Sequence, residues 1–165
     1  NPTRIVKQYP WPDYPDECQL EGIHTTFVEG SSCSAGPFKT LNRLSQVMSR
    51  THCPEVFEAI VLDPHSKEIV GGTMSNLLLY SKKSLIYSKH PVIEGVMQTV
   101  VLDAARSLGI ACKARKIDMQ MIENAESLFF CIPNSTASSY SNLDETITAF
   151  ALLAEALNVN ASYSL

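Results

Sequence analysis

A chain of 165 residues, 45% hydrophobic and 18% charged, has the composition of one soluble globular domain with one sizeable core. Its net charge of −4, with both signs spread along the chain, excludes the continuous positive surface that a nucleic-acid partner requires. Apolar runs such as Asn76-Leu77-Leu78-Leu79-Tyr80 are far shorter than a membrane span, and no charged-then-apolar leader opens the chain, so the expectation is a cytoplasmic protein with no membrane partner.

The chain opens on Asn1 rather than methionine and runs at once into the strand-like Arg4-Ile5-Val6, which suggests that an upstream part is missing. Tyr9-Pro10-Trp11-Pro12-Asp13-Tyr14-Pro15 carries three closely spaced prolines, which forbid a helix or a central strand and leave an extended loop. From Gly22 to Glu29 the residues alternate around Ile23 and Phe27 as in a strand, and Gly30 to Pro37 reads as a loop of small residues. Lys39 therefore stands at a strand-loop-helix transition. Beyond it, with Thr40 as N-cap, Leu41, Leu44, Val47 and Met48 recur at helical spacing and predict one apolar stripe.

Four short strands are expected next, over Phe57 to Asp63, Lys67 to Val70, Asn76 to Tyr80 and Leu85 to Tyr87. Their links, Pro64-His65-Ser66 and Ser81-Lys82-Lys83, are tight and imply antiparallel pairing. Gly95 opens a helix whose Met97, Val100, Val101, Ala104 and Leu108 share a face, and Gly109 closes it. A strand from Ile110 to Ala114, a short helix after Asp118, a strand from Leu128 to Ile132 and a helix from about Leu143 to Leu157 complete the chain. The class is α/β or α+β, with mostly antiparallel strands and packed helices.

The cysteines, five with irregular spacing, indicate neither a disulfide framework nor a CxxC metal site. Of the histidines, none share a metal-ligand spacing, so no metal is expected; the adjacent His52 and Cys53 read as a surface residue beside a core one. Met119 and Met121 read as packing, and Asn134-Ser135-Thr136 and Asn160-Ala161-Ser162 would be glycan acceptors only in a secreted protein. Taken one at a time, Lys39 is a solvated loop charge, Gly95 a helix-start turn, and Asn134 and Ser135 a polar turn after a buried strand.

Order and spacing point further. Lys39-Thr40-Leu41-Asn42-Arg43-Leu44, a strand ending Leu62-Asp63, Gly72-Thr73-Met74-Ser75-Asn76-Leu77, Gly95-Val96-Met97, Asn124-Ala125-Glu126 and Cys131-Ile132-Pro133-Asn134-Ser135 follow one another. The series resembles the C-terminal large domain of fold-type IV pyridoxal-phosphate (PLP) enzymes, which include branched-chain and D-amino acid aminotransferases and aminodeoxychorismate lyase. The resemblance runs from Arg4 to about Ser139, and the K-x-L-N-R-L form around Lys39 is most similar to the lyase.

That resemblance implies a pseudo-barrel large domain spanning residues 1–165, a homodimer, a small-molecule substrate and PLP as cofactor. The family's small N-terminal domain is not in this chain. Lys39 matches the lysine that condenses with the cofactor aldehyde, a task for which a primary amine is needed. Gly95, Val96 and Met97 match the turn that holds the cofactor phosphate on backbone N–H groups, and Asn134 and Ser135 match a second phosphate-side loop.

Two positions depart from the pattern. Where the family has E-G-T-x-S-N, this chain has Gly71-Gly72-Thr73-Met74-Ser75-Asn76, so Gly71 replaces a carboxylate that pairs with the pyridine nitrogen of the cofactor. Glu68, three residues back along a strand, faces the other way and is displaced by about 10 Å, so it does not substitute. Gln98 stands where an arginine often follows the phosphate turn. The implied activity is a lyase releasing pyruvate from 4-amino-4-deoxychorismate to give 4-aminobenzoate for folate synthesis. An aminotransferase of the same fold and a non-catalytic relative remain alternatives, Gly71 and Gln98 being the evidence for the latter; a bland, unrelated domain with accidental motifs is the third.

Overall fold

The computed structural model of the chain describes residues 6–7, 23–30, 42–89, 93–132 and 135–141, with the backbone alone for 132 and 135–141. Lys39, Thr40, Leu41, Asn134, the proline-rich stretch and the helix expected over Leu143 to Leu157 lie outside these residues, as does most of the first expected strand.

Strand β1 (Thr25–Glu29) runs parallel to β2 (Glu58–Leu62), with Phe27 opposite Ile60, and α1 (Leu44–Thr51) lies between them in sequence. Parallel neighbours require such a crossover, since a tight turn cannot reverse the chain twice. Strand β3 (Ile69–Gly72) folds back antiparallel on β2 and completes a three-stranded sheet in the order β1-β2-β3. The turn between them is held by Asp63, whose carboxylate accepts from the N–H groups of His65 at 3.0 Å and Ser66 at 2.7 Å.

The second sheet has the order β6-β5-β4-β7-β8. Strands β4 (Asn76–Ser81) and β5 (Ser84–Ser88) form a hairpin whose two-residue loop is Lys82-Lys83. Helix α2 (Val96–Ser107) then crosses over to β6 (Ala111–Arg115), which pairs parallel with β5. The short α3 (Met119–Glu123) precedes β7 (Ser127–Ile132), which pairs antiparallel with β4 and with β8 (Ser135–Ser141). The expected class of mixed helices and mainly antiparallel strands is therefore present, and each of the two parallel pairs brackets a helix.

Continuous apolar runs in the middle strands reflect burial on both faces of the second sheet. Leu77 and Leu79 of β4 and Leu128 and Phe130 of β7 face the three-stranded sheet, where they meet Ile23, Ile60, Ile69 and Ile117. Leu78, Phe129 and Cys131 face the other way, onto Val101, Leu102 and Ala105 of α2. Each fully buried side chain of this kind contributes about 1.5–3 kcal/mol relative to exposure. The two sheets are also tied by Ile69 N–H, which donates to Ile117 O at 2.7 Å, and by Ser88 Oγ, which donates to Ile69 O at 3.2 Å. Met119 and Met121 pack against the first of these cores, as expected.

Helix faces differ from expectation in two places. The buried side of α2 is Gln98, Val101, Leu102 and Ala105, whereas Val100 and Leu108, expected inside, are 38% and 42% exposed. Two apolar stripes overlap on this helix, and the one that meets β4 and β7 wins. On α1 the stripe of Leu44, Val47 and Met48 is exposed, Ser49 is the buried residue, and Arg43 holds the N-cap position without a side-chain bond.

The ends of α2 and α3 agree with their sequence signals. Gly109 adopts φ +76, its N–H donates to Arg106 O at 3.0 Å, and Ile110 N–H donates to Ala105 O at 2.9 Å, so the helix closes in a Schellman motif. Asp118 caps α3 by accepting from Met121 N–H at 2.8 Å. No helix among the described residues is long and apolar enough to cross a membrane.

Candidate functional site

Gly95 is the N-cap of α2, with φ −80 and ψ 139. The first intrahelical bond is Thr99 N–H to Gly95 O at 3.1 Å, so the N–H groups of Val96, Met97 and Gln98 emerge from the helix start without intrahelical acceptors. Unlike α3, this helix has no side-chain cap, and it has no acidic residue in its first turn. The helix dipole adds positive potential at the same point, and nothing built into the helix itself offsets it.

The approach to this helix is held from β4. Asn76, the first residue of that strand, donates through Nδ2 to Ile93 O at 2.9 Å. A β carbon on residue 95 would collide with Asn76 Oδ1 and lie 3.2 Å from Asn76 Cγ, so glycine is needed there for close approach.

Asn76 follows the turn Thr73-Met74-Ser75, which is built around Glu58. Glu58 is 1% exposed, at the start of β2. Its Oε1 accepts from Ala59 N–H at 2.9 Å, Thr73 N–H at 3.0 Å and the Thr73 hydroxyl; its Oε2 accepts from Met74 N–H at 3.1 Å and Ser75 Oγ at 2.7 Å. Gly72 makes room for this carboxylate, since a β carbon there would collide with Ser75 Oγ and lie 2.9 Å from Glu58 Oε2.

The strand register carries the site across the sheet. Asn76 lies opposite Cys131, Cys131 opposite Thr136, and Ile132 opposite Ser135. Ser135 is thereby brought to the same end of the second sheet as Asn76 and the start of α2. It is the first residue of β8 rather than part of a free polar turn. The run Ser135-Thr136-Ala137-Ser138-Ser139-Tyr140-Ser141 lacks apolar alternation, so its strand character comes from pairing with β7 and not from its own pattern. Gly95, Val96 and Met97 thus stand together at one helix start, with Ser135 at the same sheet end.

Gly71, on the position expected to have lost a carboxylate, is buried and has φ +154, a conformation that L-residues rarely adopt. A β carbon there would lie 3.4 Å from Ser75 O. Glu68 forms an ion pair with Lys116 instead of turning toward the site.

Glu58 escaped the sequence reading, and Asn76 and Gln98 entered it without the places they hold here. A glutamate directly before Ala59-Ile60-Val61 was a usable signal, because a carboxylate in a buried strand must be matched by converging donors. Gln98 is 6% exposed on the inner face of α2.

Neither the Cys112 nor the Cys131 thiol is activated. Burial pushes the Cys131 thiol up to about 12. Burial also raises Cys112, against the opposing Arg106 charge and with a smaller upward push from Asp103. Among the described residues, no group of His, Cys, Asp and Glu could hold a metal ion.

Residues 2–137 match the family described as amino-transferase class IV. The 4-amino-4-deoxychorismate lyase of Pseudomonas aeruginosa is similar at 26% identity and a TM-score of 0.71, covering 82% of this chain and 53% of its own. The branched-chain amino acid aminotransferase of Escherichia coli is 21% identical with a TM-score of 0.65, covering 81% and 47%. A hypothetical aminotransferase from Mycobacterium tuberculosis in its PLP-bound form is 15% identical with a TM-score of 0.72, covering 83% and 55%. The chain spans about half the length of these three structures. No curated protein matches it.

Proposed function

Because the chain belongs to the class IV aminotransferase family, we propose that it is the large domain of a PLP-dependent lyase acting on 4-amino-4-deoxychorismate to release pyruvate and form 4-aminobenzoate, a folate precursor. The observation that carries the cofactor assignment is the start of α2: an uncapped glycine end, three outward N–H groups and no acid in the first turn. These features fit a phosphate ester. Support for the lyase over its relatives comes from the K-x-L-N-R-L segment and from 26% identity to the Pseudomonas aeruginosa lyase, against 21% and 15% for the two aminotransferases.

In this reading the N–H groups of Val96 and Met97, with Gly95 allowing close approach, hold the phosphate, and Asn134 and Ser135 are the second pair of phosphate ligands that the family resemblance implies. When bound, PLP supplies an electron sink for the pair released at the substrate carbon. Lys39 would hold the cofactor through its amine and, once displaced by the substrate amine, would carry the proton taken from the substrate ring carbon to the methylene carbon of the enolpyruvyl group, whose C–O bond to the ring breaks so that it departs as pyruvate. The working unit is a cytoplasmic homodimer, each protomer pairing this domain with a small N-terminal one.

A second reading, a relative that keeps the fold without turnover, is favoured by the glycine-specific backbone at Gly71. Product analysis on the full-length protein separates the readings. The lyase forms 4-aminobenzoate and pyruvate in equal amounts, an aminotransferase transfers the amine to a keto acid, and a non-catalytic relative does neither.

A further inference from the structure

Glu58 stands in a place where a carboxylate is costly. It opens β2, is almost wholly buried, and precedes Ala59, Ile60 and Val61, which are all buried and apolar. An ionised group in such surroundings costs several kcal/mol unless it is fully hydrogen-bonded. Of its five donors, four belong to a single turn: the N–H and hydroxyl of Thr73, the N–H of Met74 and the hydroxyl of Ser75. The fifth is the neighbouring Ala59 N–H.

Joining two strands does not demand such an arrangement. The β4–β5 connection in the same protein is made by two residues, without a buried charge. The 73–75 turn differs in what comes after it. Its next residue, Asn76, holds Ile93 O through Nδ2 and fills with Oδ1 the space beside Gly95. The chain of contacts therefore runs from the Glu58 carboxylate through the turn and the Asn76 amide to residues 93–95, and ends at the outward N–H groups of α2.

We propose that Glu58 is a positioning residue for the anion site at the start of α2, acting through the 73–75 turn and Asn76 without touching the anion. The proposal rests on reading the α2 N-terminus as the phosphate site. Removing the carboxylate releases the Met74 N–H and the Thr73 and Ser75 hydroxyls, leaving Thr73 N–H only its second acceptor, Ala59 O at 3.0 Å; this frees the rotamer of Asn76 and lets residues 93–95 and the Val96 and Met97 N–H groups spread over several directions. An anion that needs those donors converged then binds more weakly. A ligand that lacks the phosphate does not sense the change.

The test compares pyridoxal phosphate with pyridoxal, which lacks the phosphate, by isothermal titration calorimetry on full-length apoprotein. It uses wild type, Glu58→Gln, Asn76→Ala and the double variant, each shown folded by near-ultraviolet circular dichroism. In Glu58→Gln the expected loss of affinity is about tenfold or more for pyridoxal phosphate and less than about threefold for pyridoxal. Asn76→Ala should reproduce this pattern, and the double variant should be no worse than the weaker single, because both changes cut one chain of contacts.

Equal losses for the two ligands, or an unchanged phosphate preference in folded variants, would assign Glu58 a purely structural role and overturn the proposal. If Glu58→Gln does not fold, Ser75→Ala takes its place, since it removes only the hydroxyl bond to Oε2; selective loss of phosphate affinity supports the proposal and an unchanged preference overturns it. A wild-type protein with no preference for pyridoxal phosphate over pyridoxal would remove the anion-site reading itself, and the positioning role with it.

Discussion

Asn76 and Gly95 specify one another: the amide oxygen of the first fills the space that a β carbon on the second would occupy, while its Nδ2 holds Ile93 O at 2.9 Å. Gly95→Ala must therefore displace Asn76, at a cost of about 1–3 kcal/mol for overpacking. Asn76→Ala alone loses one hydrogen bond, worth about 1 kcal/mol. In the double variant the methyl group enters vacated space, so its destabilisation in urea should fall short of the sum of the singles by about 0.5 kcal/mol or more. Strict additivity would contradict the contact.

Gly71 is not a simple lost side chain. At φ +154 any L-residue is strained, and Gly71→Ala and Gly71→Glu should each destabilise by about 1–3 kcal/mol, with the alanine carrying most of the effect. Thermal unfolding of the two variants side by side checks this. A neutral Gly71→Ala would show that the backbone relaxes readily and that a carboxylate could be restored at this position.

The β4–β5 hairpin turns through Lys82 at φ +49 and Lys83 at φ +56, a type I′ geometry built from residues that disfavour it. The paired substitutions Lys82→Asn and Lys83→Gly should stabilise the protein by about 1 kcal/mol, read as a higher melting temperature. An unchanged or lower melting temperature would contradict the strain assigned to this turn. The Lys82 N–H bond to Glu126 Oε1 at 2.7 Å involves only the backbone of the turn and is retained.

Cys131 makes stability depend on alkaline pH. Its folded value of about 12 lies above the ordinary 9.0, so the unfolded chain gives up this proton first. The stability it contributes is complete below about pH 9 and is lost as pH climbs toward about 12. Cys131→Ala should show a shallower loss of stability over that range in urea titrations at stepped pH, whatever its stability at neutral pH. Parallel curves for the two proteins would contradict the assignment.

Local signals were legible where one residue type forces one geometry. Gly109 and Asp118 marked helix ends, Lys82-Lys83 fell between two strands, and the runs Leu77-Leu78-Leu79 and Leu128-Phe129-Phe130 marked buried strands. Features decided by distant partners were not legible. The polar strand β8 exists through its pairing with β7, the inward turn of Gln98 depends on which of two stripes meets the sheet, and Leu44, Val47 and Met48 form a stripe that stays exposed. The proposed anion site divides in the same way: the helix start at Gly95, Val96 and Met97 could be read from the sequence, whereas the contacts of Glu58 and Asn76 on which their proposed roles rest exist only because the 73–75 turn brings two sheets to one place.

The most direct measurement is the absorption spectrum of the full-length protein with PLP, wild type beside Lys39→Ala. The account predicts a near-visible band that borohydride fixes onto Lys39 and that the alanine variant lacks. The same featureless spectrum from both proteins would contradict it, leaving a class IV aminotransferase fold that has lost its cofactor chemistry.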